Sequence, residues 1–150
     1  MAYTNALSAY KETRIRTASQ GQLIIMLYDE TVKQLERALE YMGLNMSGKR
    51  DPSRIEIIGK AVVKARDIIT ELMVSLDFDQ GGEIAKNLFA LYTWFNKELL
   101  EAHMEMDMTR ITAVKTMVDG LRGAWVEAAA KTAEGRSMEG RFVEGVNIAG

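Results

Sequence analysis

Apolar residues recur along this chain at helical spacing, in four blocks separated by short breaks. In the first block Leu23, Ile24, Leu27, Tyr28, Leu35, Ala38, Leu39 and Met42 share one face at about 100° per residue. Asp29, Lys33, Glu36, Arg37 and Glu40 fall opposite. Ser19 and Gln22 have capping-box spacing, so a helix is predicted from Ser19 to about Met42, with Gly43 as its stop. Asn45 to Lys49 reads as a loop. Asp51 followed by Pro52 is a strong helix start, the carboxylate capping free N–H groups and the proline supplying a pre-set φ. The second helix is predicted to reach about Leu76, with Ile58, Ala61, Val62, Ala65, Ile68, Ile69, Leu72, Met73 and Leu76 inward. Asp77 to Gly82 is a predicted turn broken by Gly81-Gly82. The third helix, about Glu83 to Met106, turns Ile84, Leu88, Leu91, Tyr92, Phe95 and Leu99 to the core. The fourth, capped by Asp107 or Thr109 and reaching about Ala133, does so with Val114, Met117, Val118, Leu121 and Trp125.

Helices of similar length joined by short loops prefer antiparallel neighbours, each burying one apolar stripe. The predicted fold is all-α, an antiparallel four-helix bundle spanning 19–133. Residues 1–18 form a mixed, mostly polar N-terminal arm in which Tyr3, Leu7, Tyr10 and Ile15 stand alone. Residues 134–150 form a Gly-punctuated C-terminal tail. Gly135, Gly140, Gly145 and Gly150 recur every five residues, a period that matches neither helix nor strand, so the tail is expected to be flexible or partner-dependent.

Composition narrows the chemistry. At 150 residues and 47% hydrophobic the chain can bury one real core. With no cysteine there is no disulfide, thiolate nucleophile or Cys-based zinc site. A formal net charge of -2 and the lack of a basic face argue against nucleic acid. Met1 to Tyr10 lacks the pattern of a signal peptide, and no apolar run approaches the ~18 residues that span a bilayer. A cytoplasmic protein without membrane insertion is expected. His103 is the only histidine, and a di-metal bundle would want two Glu-x-x-His units. Nothing gathers a nucleophile, base and oxyanion site. No catalytic residue, metal site or cofactor is expected. His103, inside the apolar arc of its helix, reads as a polar residue at the core rim. Met104, Met106 and Met108 read as filling a bundle end.

More informative are apolar residues beyond what the core needs. Ile25 and Met26 lie outside the first helix's stripe. Val63, Thr70 and Val74 make a second stripe on the water side of the second helix, and Trp94 projects among Lys97, Glu98 and Glu101. If several of these merge, the patch should meet a partner, and a groove between helices would accept an amphipathic helix. The same surplus would serve equally to bury the arm, the tail or a second copy of the chain. Two other classes fit the bare residues: a histidine phosphotransfer bundle using His103, and a purely structural, self-associating bundle.

Specific strings go further. Thr17-Ala18-Ser19, Leu23-Ile24 and Met26-Leu27-Tyr28-Asp29, then Ile68-Ile69, Glu71-Leu72 and Ser75-Leu76-Asp77, then Gly81-Gly82-Glu83-Ile84-Ala85, Asn87-Leu88 and Leu91-Tyr92, and finally Trp125, resemble in order the flagellin secretion chaperone family, FliS. The resemblance covers about Tyr10 to Trp125. It implies a non-enzymatic cytoplasmic bundle that binds the disordered C-terminal segment of flagellin, blocks premature polymerisation and presents the subunit to the flagellar export gate. It also implies that a tyrosine-bearing arm docks on the empty client site, and Tyr10 stands at the matching distance before Thr17-Ala18-Ser19. The sequence departs from the family where Gln20 replaces the usual proline, Glu30 a common glycine and His103 the usual asparagine. The tail after Ala133 has no matched counterpart. The expected client-binding set is Tyr10, Ile15, Ile25, Met26, Val63, Thr70, Val74 and Trp94. The expected oligomeric state is a monomer or weak homodimer.

Overall fold

The computed structural model describes the backbone of residues 20–149 and the side chains of residues 20–131. Over that span the chain forms four helices and no strand: α1 (Gln20–Ser47), α2 (Pro52–Val74), α3 (Phe78–Glu105) and α4 (Met108–Ala149). α1 packs on α2 and α4, and α3 packs on the same two, so α1 and α3 face each other across a diagonal. Lys115 meets Glu36 at 3.6 Å and Arg122 meets Asp29. One number rises as the other falls, so α4 runs antiparallel to α1. The α2–α3 pair is likewise antiparallel, with Asn96 against Thr70 at one level and His103 beside Gly59 at another. This is the predicted bundle.

Its core takes one stripe from each helix: Leu27, Leu35, Ala38 and Met42; Ile58, Val62, Ala65, Ile69 and Leu72; Tyr92, Phe95, Leu99 and Ala102; Ile111, Val114 and Val118. Each large aliphatic or aromatic side chain removed from water stabilises by about 1.5–3 kcal/mol, which is what holds a fold without cross-links. The hydroxyls of Tyr28 and Tyr92 hydrogen-bond to each other across the diagonal.

The caps follow local chemistry. Asp51 Oδ1 accepts from the Ser53 N–H at 3.0 Å and the Ser53 hydroxyl at 2.7 Å, with Pro52 at the first helical position. These donors, the Ser53 hydroxyl foremost, hold the Asp51 carboxyl below its usual range. Asp77 caps α3 by accepting from the N–H groups of Asp79 and Gln80, each at 3.0 Å, and Asp107 caps α4 by accepting from Thr109 at 3.0 Å.

Several expected boundaries and core positions are corrected. Gly43 does not stop α1, which continues to Ser47. Arg54 reaches back to the carbonyls of Leu44 and Lys49, and the Asn45 side chain accepts from the Asp51 N–H at 3.1 Å, so the added turn has partners for its end groups. Asp77 to Gly82 is not a plain turn. A helical turn starts at Phe78, and Gly82 breaks it with a φ of 50° and a ψ of -124° before the main rod of α3. Ile84, expected inside, is 71% exposed, and Ala85 is buried in its place. Ile84 lies near the end of the bundle where α2 ends, as a wall of an open hollow rather than in the closed core. Met117 is 40% exposed, while Ile111 is fully buried. α4 runs past the expected end near Ala133 as far as Ala149. The arm, and the side chains of the tail, lie outside the described residues, and with them the tail's expected dependence on a partner.

Candidate functional site

The seam between α2 and α3 gathers the largest share of the uncovered apolar side chains. On α2, Gly59, Val63, Arg66, Thr70 and Val74 follow one another at four- and three-residue steps and so line one flank. On α3, Phe89, Thr93, Asn96, Leu100 and His103 do the same. Two contacts fix these flanks against each other. The Asn96 amide donates to the Thr70 hydroxyl at 3.2 Å and to Met73 Sδ at 3.8 Å. Near the other end, a Cβ on Gly59 would lie 3.3 Å from His103 Nε2, so the absence of a side chain there makes room for the imidazole.

Along this seam Val63 is 48% and Val74 77% exposed, and Phe89, Leu100 and Phe78 are also exposed. Phe78 and Phe89 meet edge to face with centroids 5.8 Å apart, which holds the first turn of α3 against its main rod. Beside Gly59 and Val63 opens a hollow of about 510 Å³, lined also by Glu56, Lys60, Lys64, Asp67 and His103, whose open walls are almost wholly carbon. The lysines line it with their methylene stems. A second apolar hollow, of similar volume, lies at the end where α1 begins. Gln20, Ile24, Leu76, Ile84, Leu88 and Trp125 are among its walls.

The expected client-binding residues are therefore only partly brought together. Val63, Thr70 and Val74 share the α2 flank. Trp94 is exposed, with its ring 5.9 Å from that of Phe95, but it lies on the far side of α3 from the seam. Ile25 and Met26 are half-buried. Ile25 sits on the flank of α1 that turns to α4, the flank of Asp29 and Glu36, and Met26 lies further round. Tyr10 and Ile15 lie outside the described residues. Phe78, Phe89, Leu100 and Arg66 were not foreseen, although positions 89, 93, 96, 100 and 103 carry a legible second stripe. His103 is half-buried at the rim, as its place on the helix predicted. Among the described residues no three His, Asp or Glu side chains converge as metal ligands. Among them, too, no helix is long and apolar enough to cross a membrane.

An apolar seam left uncovered on the described bundle suits the holding of another chain. Comparison with known proteins points the same way. The family model for the flagellar protein FliS matches residues 3–132. The chain belongs to the FliS family. The flagellar secretion chaperone FliS of Escherichia coli (strain K12) is 34% identical over 119 residues, covering 78% of this chain and 81% of that protein. The flagellar secretion chaperone FliS of Salmonella typhimurium is 32% identical over 121 residues, covering 80% and 84%. That of Bacillus subtilis (strain 168) is 27% identical over 128 residues, covering 85% and 89%. FliS is a family of secretion chaperones without enzymatic activity, which agrees with a site made of apolar surface. The family match, residues 3–132, is longer at both ends than the resemblance read from the sequence, about Tyr10 to Trp125.

Proposed function

We propose that this FliS-family chain is the export chaperone of flagellin. It binds the disordered C-terminal segment of flagellin in the cytoplasm, prevents premature polymerisation and delivers the subunit to the flagellar export gate. It works as a monomer or weak homodimer, with no cofactor, nucleic acid or membrane insertion. The observation that carries this reading is the paired apolar flanks of α2 and α3, left uncovered in a chain of this family. A disordered client loses conformational entropy when it binds, so affinity has to come from broad apolar contact. Two flanks with helical spacing match an amphipathic client helix at i, i+3, i+4, i+7. The exposed side chains elsewhere on the bundle, Trp94 among them, suit a client that wraps round more than one face.

The test is direct. Co-expression with the flagellin of the same organism should give a defined mixed complex on size-exclusion chromatography. Changing Val63→Asp and Val74→Asp together puts unpaired carboxylates where apolar client surface would lie. Each costs about 2 kcal/mol or more when buried, so affinity of the double variant should fall by about 1,000-fold or more. Both positions face water in the free protein, so helicity and unfolding temperature should hardly change. Equal affinity in the folded double variant would remove the seam as the client site.

A further inference from the structure

On the α2–α3 seam the guanidinium of Arg66 has a covered nitrogen without a partner among the described residues. Arg66 lies on the same flank as Gly59, Val63 and Thr70, half-buried, one turn from the Thr70–Asn96 contact. Its Nε is covered from solvent and has no hydrogen-bond partner among the described residues. Across the same seam Asn96 Oδ1 is equally covered and unpartnered, its amide nitrogen being taken by Thr70 and Met73. Leaving a buried polar group unpaired is costly, because it gives up its hydrogen bonds to water and gains none. Asn96 Oδ1 needs a donor, whereas the Arg66 guanidinium needs an acceptor, so of the two only Arg66 is poised for an anionic group that comes from outside.

The neighbouring acids do not fill this role. Asp67 is the next residue on α2 and, 100° round the helix, does not face Arg66. Glu56 is held by Lys60 at 3.1 Å. On α3, Glu98 and Glu101 are drawn to Arg110, at 3.8 Å and 2.7 Å, on the flank that turns to α4.

We propose that Arg66 is a specificity-determining residue that accepts a carboxylate from an acidic side chain of the bound client segment. This rests on the flagellin-chaperone reading above. The guanidinium presents a planar fork of donors that fits a carboxylate, and the low-polarity seam strengthens the pair. Arg66 stands near the middle of α2, with the Val63 hollow to one side and Val74 to the other. A client lying along the seam passes it in mid-course. The carboxylate is therefore that of an internal Asp or Glu, flanked on both sides by apolar side chains, rather than a chain terminus.

The experiment titrates the full chain with the C-terminal segment of flagellin from the same organism. Arg66→Gln should weaken binding by about tenfold or more, and Arg66→Lys by less, since a point charge keeps attraction but loses the fork. In parallel each Asp and Glu of the segment is changed singly to Asn or Gln. One of these should reproduce the loss with the unaltered chaperone and add nothing in the Arg66→Gln background. Binding by folded Arg66→Gln within about twofold of the parent would overturn the proposal. So would a segment in which no acid, or only its amidated C-terminus, alters affinity. Should Arg66→Gln unfold, the substitutions in the segment decide alone. If the unaltered chaperone fails to bind the unaltered segment, the flagellin reading falls and takes this one with it. If it binds and Arg66 proves indifferent, only this one falls.

Discussion

Tyr28 and Tyr92 show how much a single contact can specify. Both rings are buried, on helices that meet across the bundle diagonal, and each hydroxyl finds its partner in the other. Burial pushes the Tyr28 phenol up, and the polar edges of Tyr92 and Trp125 offset only part of that. Burial, reinforced by the Tyr28 hydroxyl, pushes Tyr92 up further. A phenol whose pKa is raised by folding keeps its proton in the native state where the unfolded chain releases it. Stability from this source is full below the ordinary phenol value near 10 and is lost progressively above it, as the pH climbs toward and through the raised native value. In an alkaline titration, Tyr28 and Tyr92 should therefore contribute phenolate absorbance only as the helix signal disappears. Ionisation of all five tyrosines with the helices intact would contradict this. The sequence placed both residues on core faces, but no spacing rule says that two hydroxyls on different helices will meet. The same holds for Arg66 and Asn96. Their positions are plain in the chain, while the unpaired state of Arg66 Nε and Asn96 Oδ1 among the described residues emerges only when two helices are set side by side.

At the scale of the element, caps read well and interruptions read poorly. Asp51-Pro52 starts α2 where its local chemistry predicted, because an N-cap and a first-turn proline act through neighbours two or three residues away. Gly43 misled, because a mid-helix glycine costs only about 1 kcal/mol, which hydrogen bonds and packing at the helix end offset. At Gly82 the pair of glycines did mark a break, but inside α3 rather than before it. Its φ of 50° belongs to glycine, and a Cβ there would meet nothing within 4 Å. The cost of Gly82→Ala is therefore backbone strain without any clash. Denaturant unfolding should show a loss of about 1–3 kcal/mol. Unchanged stability would mean that the first turn of α3 can straighten without cost. The second stripe on α3, Phe89 to His103, went unused in the sequence reading because Leu88, Tyr92, Phe95 and Leu99 already satisfied the need for one core face.

For the molecule as a whole, the prediction concerns the arm and the proposed client surface. α1 begins at Gln20, and Gln20 is itself a wall of the apolar hollow completed by Ile24, Leu76, Ile84, Leu88 and Trp125. The chain before it carries Tyr10 and Ile15. Removing residues 1–16 should leave the helical signal and unfolding temperature nearly unchanged, since the described core is supplied by residues from Leu23 to Val118. If the arm competes with the client, flagellin association should become tighter or faster in the truncated protein. Identical rates and affinity would end that competition model.

The sequence by itself determined the class of the fold, four helices with their core stripes, and the family, because helical periodicity, capping and ordered strings are all local properties of the chain. It also marked Val63, Thr70 and Val74 as one exposed stripe, since residues at those steps on one helix share a flank whatever surrounds them. Only the tertiary structure decided which surplus residues belong together. It set that stripe against Phe89 and Leu100, put Trp94 on another face, and left Arg66 Nε and Asn96 Oδ1 unpaired among the described residues. Which flanks meet depends on how helices rotate and pack against one another, and that is fixed by the whole core at once.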